Sequence, residues 1–271
     1  MPRASDHHIV ADYRRFQAHN AALAWHHSRR YLALARIVRG ANLGWPVRVL
    51  DIGCGDAAVF PVLDACAPIE YVGIDSSAYF VPAARESYGA CPNFSALHLS
   101  ALDLPGLLAL SRPDIVAALE TLEHIPDDDV ARVIANVAAL RPTVFVCSVP
   151  VEVGPAVWAK NIASFLMRYH RHREYSWRET FWAGLYRLPE HRGTHKGFDW
   201  RKVTEEIGRH MRIQRIERFP SQLLPAALSA SVFIVAAPKE DIEGRTQAAG
   251  RGPGVRASIP QHERKKRSPR E

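Results

Sequence analysis

The sequence predicts an α/β fold: a doubly wound, mostly parallel seven-stranded sheet with helices on both faces. Three observations predict it. Short apolar runs alternate with helical stretches from residue 47 to residue 150. The runs are apolar at nearly every position, as strands covered on both faces must be. Two more strand-like runs follow a late helix, which completes seven.

The elements follow in order. Residues 6–40 read as a helical N-terminal extension, because Tyr13, Phe16, Leu23, Tyr31, Leu34 and Ile37 recur at roughly helical spacing. "GANLGWP" ends it with Gly and Pro. "VRVLDIG" (47–53) is the first strand and "AAVFPVLDACA" (57–67) a helix with Pro61 near its start. "EYVGID" (70–75) is a strand, "AYFVPAARESY" (78–88) a helix, and "FSALHLS" (94–100) a strand followed by "LPGLLAL". "DIVAALE" (114–120) is the fourth strand, "DDVARVIANVAALR" (128–141) a helix with acids in its first turn, and "TVFVCSVP" (143–150) the fifth strand. After a long interruption, "DWRKVTEEIGRHM" reads as helix, and "RIQRIERF" and "ASVFIVAAP" as the last two strands.

A hydrophobic fraction of 47% supports a core and argues against global disorder. Cys54, Cys66, Cys91 and Cys147 show no C-x-x-C spacing, which fits a reducing, cytoplasmic setting without disulfides or a thiolate zinc site. "MPRASDHHIVADYRRF" has no apolar region of the kind a secretory signal needs, and no run reaches the roughly 18 apolar residues of a membrane span. Of the net charge of +7, residues 244–271 carry +6. Basicity therefore belongs to a Gly/Pro/Arg-rich tail, expected to be disordered, that can touch RNA or anionic lipid or nothing specific. The domain expectation is an extension over 1–45, a main domain over 46–240 with an insert at 151–198, and the tail at 241–271.

In a doubly wound sheet, ligands bind beyond the carboxyl ends of the strands. That rim gathers Asp51 to Asp56, Asp75, Ser100 to Asp103, and Glu120 to His124. Gly53 and Gly55 follow the first strand, where glycine lets the backbone turn tightly and approach a ligand. Asp75 ends the second strand about twenty residues later, where a carboxylate can accept both hydroxyls of a ribose. The loop is acidic at Asp51 and Asp56 and has no third glycine, which disfavours a dinucleotide pyrophosphate and suits the ammonium of an amino-acid moiety.

With "VLDIGCGDA", "YVGIDSS", "LSALDLP", "DIVAALETLEHIPD" and "VFVCSVP" in this order, the chain resembles the Rossmann-like (class I) S-adenosylmethionine-dependent methyltransferases. The resemblance implies that Asp51, Gly53 and Gly55 line the methionine part of S-adenosyl-L-methionine. It implies that Asp75 holds the ribose with Ser76 beside it. It places Ser100 and Asp103 near the adenine; Ser100 stands where an acid is common, and Asp103 either substitutes for that acid or caps the next turn. Ala57 stands where the loop often ends in glycine.

Glu120, Glu123 and His124 form E-x-x-E-H at a strand tip, three O/N donors of the kind that hold magnesium, manganese or iron. The motif is similar to one in metal-dependent O-methyltransferases, including quinone-ring and small-RNA 2′-O-methyltransferases. That likeness implies a divalent metal on Glu120, Glu123 and His124, completed by His191 or His195. In methyltransferases without a metal, the same "EHIP" leaves His124 facing the cofactor. His124 and His195 are the candidate catalytic bases, and Glu120 is also placed at the cofactor.

The insert carries eight Lys or Arg against four Glu and is rich in aromatics. It reads either as an inserted helical lid over an anionic or aromatic acceptor, or as an amphipathic insert with buried rings. His170 and His172 read as surface residues. The leading reading is methyl transfer to a small-molecule acceptor, at oxygen. The alternatives are a metal-dependent RNA 2′-O-methyltransferase and a non-catalytic cofactor- or partner-binding protein of the same fold.

Overall fold

The structure, a computed structural model, describes residues 21–166, 176–191, 193, 195–219 and 221–239. The expectations for Tyr13, Phe16, His170, His172 and the basic tail fall outside these residues. Helix α1 spans Ala21–Gly40. The alternation then runs β1 (Val47–Ile52), α2 (Phe60–Asp64), β2 (Ile69–Asp75), α3 (Phe80–Tyr88), β3 (Phe94–His98), α4 (Leu104–Leu108) and β4 (Ile115–Leu119). A 3-10 turn at Leu122–His124 leads to α5 (Asp127–Ala139) and β5 (Val144–Pro150). The insert contributes α6 (Pro155–Leu166) and α7 (Trp177–Gly184), and the chain closes with α8 (Trp200–His210), β6 (Met211–Phe219) and β7 (Ser231–Pro238).

The seven strands lie in the order β3-β2-β1-β4-β5-β7-β6. The first five are mutually parallel, and β7 runs antiparallel to both β5 and β6. Alternate residues of each strand feed opposite cores. On one face Val49, Ala117 and Val146 pack with Leu34 and Val38 of α1, Phe60 of α2 and Val81 of α3. On the other, Leu50, Val116 and Phe145 pack with Val133 and Ile134 of α5 and Ile207 of α8. Both faces are covered, which is why the strands read as continuous apolar runs.

Helix α2 is shorter than the expected 57–67. Ala57 is left-handed at φ 57°, so no right-handed helix passes through it, and Pro61 falls at the tolerated start of the helix. Phe60 then plugs an aromatic cluster, 4.8 Å from Phe94 and 5.4 Å from Tyr71, centroid to centroid. Phe60→Ala should lower the unfolding free energy by about 3–5 kcal/mol; urea denaturation measures it, and a change below about 1 kcal/mol contradicts this packing.

Candidate active site

The strand order turns at β1 and β4. From β1 the chain leaves towards β2, and from β4 towards β5, so a crevice opens between their carboxyl ends. It holds a cavity of about 500 Å³, lined among others by Asp51, Gly53, Gly55, Asp75, Ser76, Ser100, Glu120 and His124. All eight were expected at the site from sequence. Asp103 does not line the cavity. Its carboxylate caps α4 by accepting from the Gly106 N–H at 3.1 Å, the capping role that was one of its two expected roles.

The loop after β1 is held by its neighbours. The Gly53 and Cys54 N–H groups both donate to the Ile74 carbonyl, at 2.8 and 3.1 Å. The Asp75 carboxylate accepts from Gly55 N–H at 2.9 Å and Ser77 N–H at 2.8 Å, so the residue expected at the ribose also braces the glycine loop. Gly53 sits at φ 69°, and a Cβ there would come within 2.3 Å of the Thr121 side chain. Glycine is thus required at 53 by both conformation and packing.

Asp51 lies beneath the loop, 4% exposed, with the Tyr71 hydroxyl donating to Oδ2 at 2.6 Å. Burial pushes its carboxyl up to about 7; the Tyr71 hydrogen bond offsets part of this, and the nearby Asp75 adds to it. A cation entering the loop would relieve that cost.

At the tip of β4, Glu120 adopts a left-handed backbone at φ 52°. Its N–H donates to the Ser148 carbonyl at 2.9 Å, and the Ser148 hydroxyl donates to Oε1 at 3.1 Å. Arg30 of α1, 2% exposed, pairs with the same Oε1 at 2.8 Å. Arg30 and Ser148 were not singled out from sequence. The signal for Arg30 was present: it continues the core-facing stripe of Ala33, Leu34, Ile37 and Val38, where a guanidinium needs a buried partner.

Glu123 is fully buried, and neither carboxylate oxygen has a hydrogen-bond partner. Burial, and then the neighbouring Glu120, push its carboxyl well above the usual range. Its oxygen and ring nitrogens of His124 and His195 all lie within 4.8 Å of one another. The His124 and His195 rings meet edge to face at 5.0 Å. Burial holds His124 below its ordinary pKa, with Glu120 opposing, so its ring stays neutral at pH 7 and keeps a lone pair. Of the two histidines considered for completing the cluster, His195 joins it. His191 is engaged elsewhere: Nδ1 meets Asp127 Oδ1 at 2.7 Å, and Nε2 meets the Glu123 carbonyl at 2.9 Å. It steadies the Glu123 backbone. Glu120 is not in the cluster.

Residues 50–142 match the family model described as a methyltransferase domain. Several solved structures share the fold. The magnesium protoporphyrin IX methyltransferase ChlM from Synechocystis PCC 6803, with bound SAH, is 19% identical, with a TM-score of 0.52 over 81% of this chain and 88% of that one. The N-methyltransferase NodS from Bradyrhizobium japonicum WM9 is 14% identical, with a TM-score of 0.52 over 79% and 97%. The methyltransferase domain of bacterial CtHen1-CN is 17% identical, with a TM-score of 0.54 over 78% and 98%. No curated protein matches the sequence. The seven-stranded sheet is the fold of the Rossmann-like, class I methyltransferases. Residues 50–142 carry the methyltransferase domain. Among the described residues, no helix is long and apolar enough to cross a membrane.

The Asp51 shift has a consequence for stability. An acid with a folded pKa of about 7 holds a proton that the unfolded chain, at about 3.9, has released. Its contribution is complete below about pH 4 and is lost as pH rises towards 7. Wild type should therefore lose stability relative to Asp51→Asn between pH 4 and 7, and the gap should level off above that. Urea denaturation of both proteins at pH 4.5, 6 and 8 tests this; parallel curves would contradict it.

Proposed function

We propose that this methyltransferase acts on an oxygen of a small-molecule acceptor, with a divalent cation held by Glu123, His124 and His195. The carrying observation is the Glu123 carboxylate, fully buried with no hydrogen-bond partner, within 4.8 Å of two histidine nitrogens. A carboxylate is retained in such a place when a cation satisfies it. Ligand atoms of one ion stand about 2.0–2.6 Å from it, hence within about 5 Å of one another. The donor set of one carboxylate and two imidazoles suits manganese, iron or magnesium with positions left open. When bound, such a cation lowers the pKa of an acceptor hydroxyl and orients it.

The chain's own groups do the rest. Asp75 is placed for the ribose hydroxyls, and Asp51 with the glycine loop for the methionine part, which fixes the sulfonium in the crevice. Transfer then requires the acceptor oxygen in line with the methyl and sulfur, so alignment carries much of the rate. His124 lines the cavity, and its neutral ring is suited either to the cation or to the acceptor proton.

Two cation–aromatic pairs stand on and beside the insert. Arg187 lies 4.8 Å over the Trp182 ring, and Arg201, on α8, lies 5.0 Å over Tyr186.

Removing divalent metal with EDTA should lower transfer at least about 100-fold, with recovery on adding Mn²⁺ or Mg²⁺. Glu123→Gln should reproduce that loss while calorimetry shows unchanged S-adenosylmethionine binding. Asp75→Ala should instead weaken cofactor binding by about 10–100-fold. Full transfer in EDTA removes the cation from the reading. Methylation of RNA oligonucleotides in preference to hydroxylated small molecules replaces the acceptor class.

A further inference from the structure

Three carboxylates gather where β4 and β5 end: Glu123 and Glu152, both buried, and Glu120, half-buried. Two have a cation of their own. Glu152 pairs with Lys160 at 3.3 Å, and Glu120 with Arg30 at 2.8 Å. Glu123 alone of the three points both oxygens at no donor. A simple reading of E-x-x-E-H assigns both of its glutamates to one ion. The side chains divide them instead.

We infer that Arg30 is a positioning residue: it holds Glu120 out of the cation's ligand set, so that three protein groups bind the ion and the remaining positions stay open to the acceptor. This rests on the cation reading above. Four observations carry it. Glu120 is absent from the cluster that brings Glu123, His124 and His195 within 4.8 Å. Oε1 of Glu120 is held from two sides, by the Arg30 guanidinium at 2.8 Å and the Ser148 hydroxyl at 3.1 Å. The Glu120 backbone is pinned by its N–H on the Ser148 carbonyl, in a left-handed conformation that persists only where its surroundings enforce it. Arg30 is itself fixed, 2% exposed on the stripe that docks α1 on the sheet.

The arrangement has a chemical reason. Catalytic metal sites keep fewer protein ligands than structural ones, so that substrate can occupy the remainder. A second glutamate on the ion would take one of those positions and add negative charge, which weakens the cation's pull on an acceptor hydroxyl. A guanidinium is suited to hold that glutamate back: it stays charged, and its planar donor fork is directional.

The test uses the full-length protein and Mn²⁺, read by calorimetry and by the Mn²⁺ electron paramagnetic resonance spectrum. Wild type should bind one Mn²⁺. Glu120→Gln should keep the affinity within about 3-fold and keep the spectrum, whereas Glu123→Gln should lose about 100-fold or more. Arg30→Gln should let Glu120 reach the ion, tightening binding and altering the spectrum. If Arg30→Gln does not fold, the Glu120→Gln and Glu123→Gln pair still decides. Equal losses in those two variants overturn the inference and leave the cation reading standing. No Mn²⁺ bound by wild type overturns both.

Discussion

Everything at this site follows from a constraint on parallel strands. Parallel neighbours need crossover connections, so all five strands from β3 to β5 finish on the same edge of the sheet. Where the winding reverses, between β1 and β4, no connection covers that edge. The loops after β1, β2 and β4 must then face one another across a gap. Thr121 draws them together, its hydroxyl donating to the Ile52 carbonyl at 3.0 Å while its methyl fills the space a side chain at 53 would need. The cavity is therefore what remains when the sheet's own connections have been made, rather than a hollow added to a finished core.

Polar groups at this edge are placed in sequence by the strands and assigned their chemistry by burial. Asp51 and Asp75 end adjacent strands, yet their surroundings differ. Asp75 accepts from two backbone N–H donors. Asp51 has the Tyr71 hydroxyl and little solvent, so it holds its proton up to about pH 7. Asp51 gives up that proton more readily when a cation arrives beside it. The ammonium of an amino-acid moiety is such a cation.

The fold was legible because the central strands β1, β4 and β5 and the late strand β7 are apolar enough to be read, and because Gly and Pro punctuate the connections. The cavity lining was legible for the same reason: residues at strand tips inherit their position from the strand. What was hidden depended on contacts between distant segments. Ala57 reads as the first residue of a helix by composition, and only the left-handed turn closing the glycine loop prevents it. Asp103 reads equally well as a ligand or a cap until Gly106 is seen to donate to it. His191 and His195 are four residues apart in one loop, and sequence offers no ground to choose between them. Asp127, on another element, decides by engaging His191.

Arg30 belongs to the same class and shows its cost. A charged side chain on a core-facing stripe is expensive unless its partner is already there. The partner, Glu120, lies at the tip of β4, which packs only after the sheet exists. Helix α1 thus does more than cover one face. Its docking neutralises a half-buried acid, and that acid has a strained backbone beside the cavity. Loss of the helix would leave Glu120, half-buried, without its guanidinium beside the fully buried Glu123. Repulsion would then drive one to take up a proton or to seek whatever cation is present. A segment that reads as an N-terminal extension is, by this reasoning, part of the site's electrostatic definition.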